Sequence, residues 1–105
     1  MPFLSKKNYS IALLQLETTN SYKKNLEKLI EAIRANLGRD LIVAPEVYIT
    51  GYDYEHFEEA IDFYQEIIDK ILPLIDREVF IFTAIKRDKD RVVNQATVIH
   101  NHKIV

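Results

Sequence analysis

Two apolar runs separated by one amphipathic stretch restrict the folds open to this chain. Ser10–Leu16 and Leu41–Ala44 are almost wholly apolar, which is the pattern of strands covered on both faces, so the first is expected to be an inner strand. Between them, Thr18, Thr19, Asn20 and Ser21 offer helix N-caps, and Leu26, Leu29, Ile30, Ile33 and Leu37 recur at spacings of three and four. That spacing predicts an amphipathic helix ending near Gly38, a residue that can adopt the left-handed closing conformation. Two buried strands joined by one helix of this length run parallel. Glu46 then stands just past the carboxyl end of the second strand, where ligands collect in open α/β sheets.

The rest of the chain extends the same plan. Val47–Glu55 has no sustained period and reads as a loop. Phe57, Ile61, Tyr64, Ile67, Ile68, Ile71 and Leu72 form the stripe of a second helix that Pro73 ends or kinks. Val79–Ile85 is a third strand, Lys86–Arg91 has the composition of an exposed turn, and Val92–His100 is a fourth strand. So short a connection implies an antiparallel hairpin. Asn101-His102 reads as another turn, and Lys103–Val105 as the start of a fifth strand. A chain stopping there leaves an open sheet edge, so the sequence is expected to be an unfinished part, residues 1–105, of a single domain.

Composition excludes several chemistries. The 105 residues carry 14 Lys plus Arg against 16 Asp plus Glu, a formal charge of -2 with the signs interspersed, so no nucleic-acid partner is expected. No stretch reaches the length of a membrane span and the N-terminus lacks the pattern of a signal peptide; a cytoplasmic protein without a membrane partner is expected. With no cysteine in the chain, disulfides, thiolate metal sites and a cysteine nucleophile within these residues are ruled out. His100 and His102 would share a strand face, but no third ligand is evident and a turn separates them, so no metal and no cofactor are expected. Glu55, Glu58, Glu59 and Asp62 lie near a helix N-terminus, where the helix dipole favours them as a solvated face.

Glu46 itself admits two readings from residue type and position: a catalytic carboxylate, or a strand-end carboxylate that caps the next turn or faces water. Tyr48, Tyr52 and Tyr54 could wall a substrate pocket beside it or serve as packing, with Tyr52 the preferred substrate-binding candidate. Asn94 could bond the loop carrying Glu46 or satisfy a backbone group at a strand bend.

The order of these elements and the residues at their joints resemble the N-terminal part of the carbon-nitrogen hydrolase family, the nitrilase and amidase superfamily. The likeness rests on Ile11–Gln15 as a first strand ending in Gln, a helix opening near Asn25, and Gly38 ahead of the second strand. It continues through Leu41–Glu46 with Thr50-Gly51-Tyr52 behind it, the Asn-containing strand Val93–Ile99, and Lys103-Ile104-Val105. At the last turn the family often has Asp-Gly, where this chain has Asn101-His102.

The resemblance implies an α/β fold: the N-terminal half of a nitrilase-like α-β-β-α sandwich, here a β-α-β unit, a second helix and a hairpin. It also implies a Glu-Lys-Cys triad acting on nitriles or amides. The Cys attacks the carbon, the Glu is general base, and the Lys helps stabilise the oxyanion. The Glu maps onto Glu46. The Lys and Cys belong downstream of Val105, and Lys103, which precedes its strand, is not assigned the family role. A base alone cannot form the covalent intermediate, so this chain is expected to be inactive by itself. It would serve as a fragment of an enzyme acting on a small amide or nitrile, joined to the missing half or to copies of itself through exposed apolar surface. The alternative from another class is a non-catalytic α/β binding or interaction module. A receiver-like regulator is disfavoured because Gln15-Leu16 offers no acidic pocket at the end of the first strand.

Overall fold

The computed structural model describes residues 8–53 and 55–105. Their single sheet has five strands in sequential order: β1 (Ile11–Leu13), β2 (Leu41–Val43), β3 (Val79–Asp88), β4 (Arg91–His100) and β5 (Lys103–Ile104). The first three run parallel and the last two pair antiparallel. Helix α1 (Tyr22–Ala35) links β1 to β2, and α2 (Phe57–Ile71) links β2 to β3.

Local chemistry sets these boundaries. Ser21 caps α1, its Oγ accepting the Lys24 N–H at 3.2 Å, which satisfies one of the amide donors left open at a helix start. The chain leaves α1 at Asn36, and Gly38 takes φ +93° to turn it towards β2. Leu37, expected in the apolar stripe, falls beyond the helix and is 47% exposed. Helix α2 carries Glu58 and Glu59 in its first turn and Lys70 in its last, both favourable to the helix dipole. It gives way to a 3-10 turn over Leu72–Leu74, where Pro73 lacks the N–H needed to continue.

Both helices cover the same face of the sheet. Leu26, Leu29 and Ile33 of α1 and Ile67, Ile68 and Ile71 of α2 share one buried cluster with Ile42, Phe80, Phe82 and Ile99. Those strand residues lie on one side by the alternation of strand side chains. Each fully buried Leu, Ile or Phe contributes roughly 1.5–3 kcal/mol, so this helix-on-sheet layer is the main source of stability.

The opposite face has no second layer among the described residues. Register places Ile11 beside Leu41 and Val79, and Leu13 beside Val43 and Ile81, in rows that point away from the helices. Ile11 is 54% and Leu13 71% exposed. The expectation of an inner first strand is thereby corrected: among the described residues β1, three residues long, pairs with β2 alone at one edge of the sheet, and its apolar run meets a covering layer on one face. The expected apolar surface is present. No helix among the described residues is long and apolar enough to cross a membrane.

The hairpin is tighter than its composition suggests. The strands extend through the charged residues to Asp88 and Arg91, leaving Lys89-Asp90 as a two-residue turn with Lys89 at φ +57°. Alternate charged side chains at a strand's exposed end cost the ladder nothing, so charge was a poor guide to where the turn begins. Asn101 and His102 both take positive φ, 54° and 59°, as a two-residue turn matched to strand twist requires. Their N–H groups bond Asp76 O and Ile75 O, each at 2.8 Å.

Candidate active site

The second strand ends for a definable reason. The Ala44 N–H still reaches Ile81 O on β3 at 3.0 Å, but Pro45 has no N–H to extend the ladder. The chain therefore lifts off at Glu46 and turns at Val47, whose φ is +46°. A left-handed backbone costs a residue with a Cβ roughly 1–2 kcal/mol, and a β-branched side chain makes it a true outlier. Two bonds hold it there. The Val47 N–H donates to Thr83 Oγ1 on β3 at 2.7 Å, and Gly51 N–H donates to Val47 O at 2.8 Å, with Gly51 itself at φ +63°. The Val47 side chain is 1% exposed, packed with Ala60 and Ile85.

Glu46 is exposed, at the carboxyl ends of the parallel strands. Two side chains from distant parts of the sequence meet its carboxylate. Tyr52 Oη donates to Glu46 Oε1 at 2.7 Å, and Asn94 Nδ2 donates to the same oxygen at 3.1 Å and to Tyr52 Oη at 3.0 Å. The three groups form a closed ring of hydrogen bonds. Asn94 pairs with Ile85 in the hairpin, and Ile85 packs with Val47 of the loop that carries Glu46, so β4 brings Asn94 to the carboxylate beside that loop. Both recorded donors engage Oε1. A carboxylate has about four acceptor positions, so the group retains capacity to take a proton from a further ligand.

The loop carrying Glu46 is tied down behind by a fully buried amide. Asn25, 0% exposed in the first turn of α1, donates from Nδ2 to Thr19 O at 2.9 Å and to Ile49 O at 2.7 Å. Its Oδ1 accepts from Thr19 N–H at 3.0 Å and from Thr19 Oγ1 at 2.7 Å. Thr18 Oγ1 adds a bond to Tyr48 O at 2.8 Å. The loops after β1 and β2 are thus locked together.

Of the tyrosines that could wall a pocket beside Glu46 or serve as packing, the structure brings Tyr52 to it. Tyr52, 46% exposed, reaches the carboxylate. Tyr48 takes the packing alternative: at 1% exposure it belongs to the core, drawn in by its aromatic area. Its hydroxyl is a buried side-chain polar atom without a hydrogen-bond partner among the described residues, and burial raises its pKa. Tyr54 lies outside the described residues. Of the two readings of Asn94, the structure shows it bonded to the loop.

A cleft of about 850 Å³ lies beside this cluster, between the 18–21 and 50–53 loops and the starts of α1 and α2, with Tyr52 on its wall and Glu46 outside its lining. Its polar groups largely engage one another. Asp53 accepts from Tyr22 Oη at 2.6 Å and faces His56 Nδ1 at 2.9 Å. The Tyr22 bond and then His56 hold the Asp53 carboxyl below its ordinary value, and Asp53 raises His56 above its own. Tyr22 is pushed up by burial, then by Asp53. His100 Nδ1 and His102 Nδ1 sit 2.9 Å from Glu78 O and 3.1 Å from Leu72 O, each against a different carbonyl.

Two residues that matter here were given no site role from the sequence: Asn25, noted only as marking the opening of a helix, and Thr83. Asn25 falls on the buried stripe of α1, in register with Leu29 and Ile33, where a polar residue must find partners. Thr83 is the lone hydroxyl in the apolar run of β3. Both signals were legible as polar interruptions of apolar patterns.

Comparison with known proteins gives one family: a profile described as carbon-nitrogen hydrolase matches residues 10–105. Among solved structures, a glutamine-dependent NAD+ synthetase from Acinetobacter baumannii is similar at TM-score 0.79 and 21% identity, over 95% of this chain and 20% of that one. A carbon-nitrogen hydrolase superfamily protein from Xanthomonas campestris, with an arsenic adduct in its active site, gives TM-score 0.77 and 18% identity over 95% and 40%. A carbon-nitrogen hydrolase from Helicobacter pylori gives 0.74 and 21% over 91% and 37%. At these identities the likeness is one of fold, and the chain spans 20% to 40% of the length of these structures. No curated protein matches it.

Proposed function

The chain belongs to the carbon-nitrogen hydrolase family, and on that premise we propose that it supplies the general base of a site that hydrolyses a non-peptide carbon-nitrogen bond of a small amide or nitrile. The observation that carries this reading is the placement of Glu46. Its carboxylate is exposed at the carboxyl ends of the parallel strands, held by Tyr52 and Asn94 through Oε1.

In the proposed reaction Glu46 takes the proton of a thiol as that thiol attacks the substrate carbon and passes it to the nitrogen that leaves as ammonia; it then takes a proton from the water that attacks the acyl group and returns it to the departing thiolate. Tyr52 and Asn94 keep the carboxylate in one rotamer, which limits the reorganisation the proton transfer requires. Tyr52, half exposed beside Glu46, also offers an aromatic surface to the substrate. The cysteine thiol is supplied by another segment, since the 105 residues contain no cysteine, and by the family resemblance the lysine that steadies the oxyanion comes with it. Association with that segment or with further copies is part of the proposal, and the uncovered rows around Ile11 and Leu13 support it. So is a cytoplasmic setting.

The missing cysteine also favours a second reading, a binding module that retains the scaffold without the chemistry. Ammonia release separates them. Residues 1–105 alone are expected to release none from primary amides or nitriles, while the natural polypeptide bearing these residues, or its assembly with a cysteine-carrying partner, is expected to do so. Turnover by residues 1–105 alone would contradict the triad reading; an inert natural product would favour the binding module.

A further inference from the structure

The geometry points to Thr83 as a positioning residue for Glu46, acting through the backbone of Val47 and not through any contact with the carboxylate. This rests on the proposed role of Glu46 as a base.

Glu46 lies between two anchors on β3. Ala44 N–H bonds Ile81 O at 3.0 Å, and Val47 N–H bonds Thr83 Oγ1 at 2.7 Å. Ile81 offers its backbone carbonyl in the plane of the sheet, and Thr83, two residues on, offers its side chain above that plane. The first anchor is an ordinary ladder bond. The second is not, because a side-chain hydroxyl takes the place of a strand carbonyl, and it grips the one residue of the turn whose conformation its own side chain opposes. Val47 stands at φ +46° with its side chain 1% exposed. A strained conformation of this kind persists only where its surroundings over-determine it.

Three constraints do so here: burial of the Val47 side chain, the Gly51 N–H on Val47 O, and Thr83 on Val47 N–H. Burial fixes where the side chain goes, and the Gly51 bond closes the turn behind it. The Thr83 bond alone acts on the peptide unit joining Glu46 to Val47, and therefore on the direction in which the Glu46 side chain leaves the backbone. Were that peptide to rotate towards a relaxed conformation, the carboxylate would swing away from Tyr52 Oη and Asn94 Nδ2, which wait at 2.7 and 3.1 Å. Thr83 thus converts local strain into a fixed aim, and a small misplacement of a reacting group is costly to rate.

The test compares Thr83→Val, which keeps the shape and loses the acceptor, with Thr83→Ser, which keeps the acceptor, in the natural polypeptide that contains these residues. In Thr83→Val the Val47 amide is expected to exchange with solvent about tenfold faster or more. The Asn94 side-chain amide resonances should move, and kcat should fall about tenfold with KM unchanged. Thr83→Ser should match the parent in all three. A Val47 amide that stays protected in Thr83→Val, or lost protection without any change in the Asn94 resonances and kcat, overturns the inference. Full turnover by Glu46→Gln would instead remove the base reading, while Val47 exchange and the Asn94 resonances would still decide what Thr83 aims.

Discussion

Two glutamates sit at opposite ends of the same sheet, and their surroundings differ in kind. Glu78, just before β3, is 7% exposed, with Oε2 accepting the Gly38 N–H at 2.7 Å and Oε1 the Asp76 N–H at 3.0 Å. Glu46, just past β2, is exposed and is held by two side chains through one oxygen. Both oxygens of Glu78 are engaged in stitching the α1–β2 corner to the start of β3. Backbone donors around a buried carboxylate build structure; side-chain donors around an open one orient a group that still has capacity to react. A carboxylate's role is thus legible from who its donors are and how many oxygens they occupy.

Removing the buried partner should have the largest effect on stability. Glu78→Ala leaves two amide donors without their acceptor, and hydrogen bonds to a charged group are worth about 1.5–3 kcal/mol, so a loss of about 2–3 kcal/mol is expected in denaturant unfolding. A loss within about 0.5 kcal/mol, the range of ordinary surface substitutions, would erase the contrast between the two glutamates.

Acid should probe the same end. Burial alone would raise the Glu78 pKa, but the N–H groups of Gly38, Glu78 and Asp76, with the Arg77 charge, outweigh it and leave the value below the ordinary 4.5. A carboxyl lowered in the folded state binds its proton more weakly there than in the unfolded chain. Its stabilisation is therefore present above the unfolded value and lost as pH falls through the folded one. Stability should decline on acidification below about pH 4.5, and Glu78→Gln should flatten that decline; an unaltered slope in the variant would place the acid sensitivity elsewhere.

At the open end the effects should appear in rate. Tyr52→Phe deletes the 2.7 Å donor to Glu46 and is expected to lower kcat about tenfold, the equivalent of about 1.4 kcal/mol, with unfolding unchanged. A rise in KM at constant kcat would assign Tyr52 to substrate binding alone. The smallest effect is a gain. Tyr48→Phe removes a buried hydroxyl without a partner among the described residues, and should raise stability by about 1 kcal/mol. A loss would show that the hydroxyl is satisfied in solution, by a water for instance.

The contrast also explains what could be read from the sequence. The β-α-β unit, second helix and hairpin were legible because their apolar residues keep strand and helix periods. Glu46 was legible because Pro45-Glu46 follows a buried run directly. Glu78 was not, since Asp76-Arg77-Glu78 reads as a solvated turn until the chain is folded and Gly38, 40 residues away, presents its N–H. The meeting of Tyr52 and Asn94 on Glu46 bridges separations of 6 and 48 residues, beyond any local pattern. The expected burial of β1 on both faces failed because an apolar run reports what a strand is suited to, not what the described residues place over it.

The most direct test of the account is Glu46→Gln in the natural polypeptide that carries these residues, with hydrolysis of a primary amide or nitrile and unfolding followed on the same preparation. The account predicts kcat/KM lower by about 10²–10⁴-fold, the usual contribution of a general base, with unfolding unchanged. Undiminished turnover, or a loss of activity matched by a loss of fold, would contradict it.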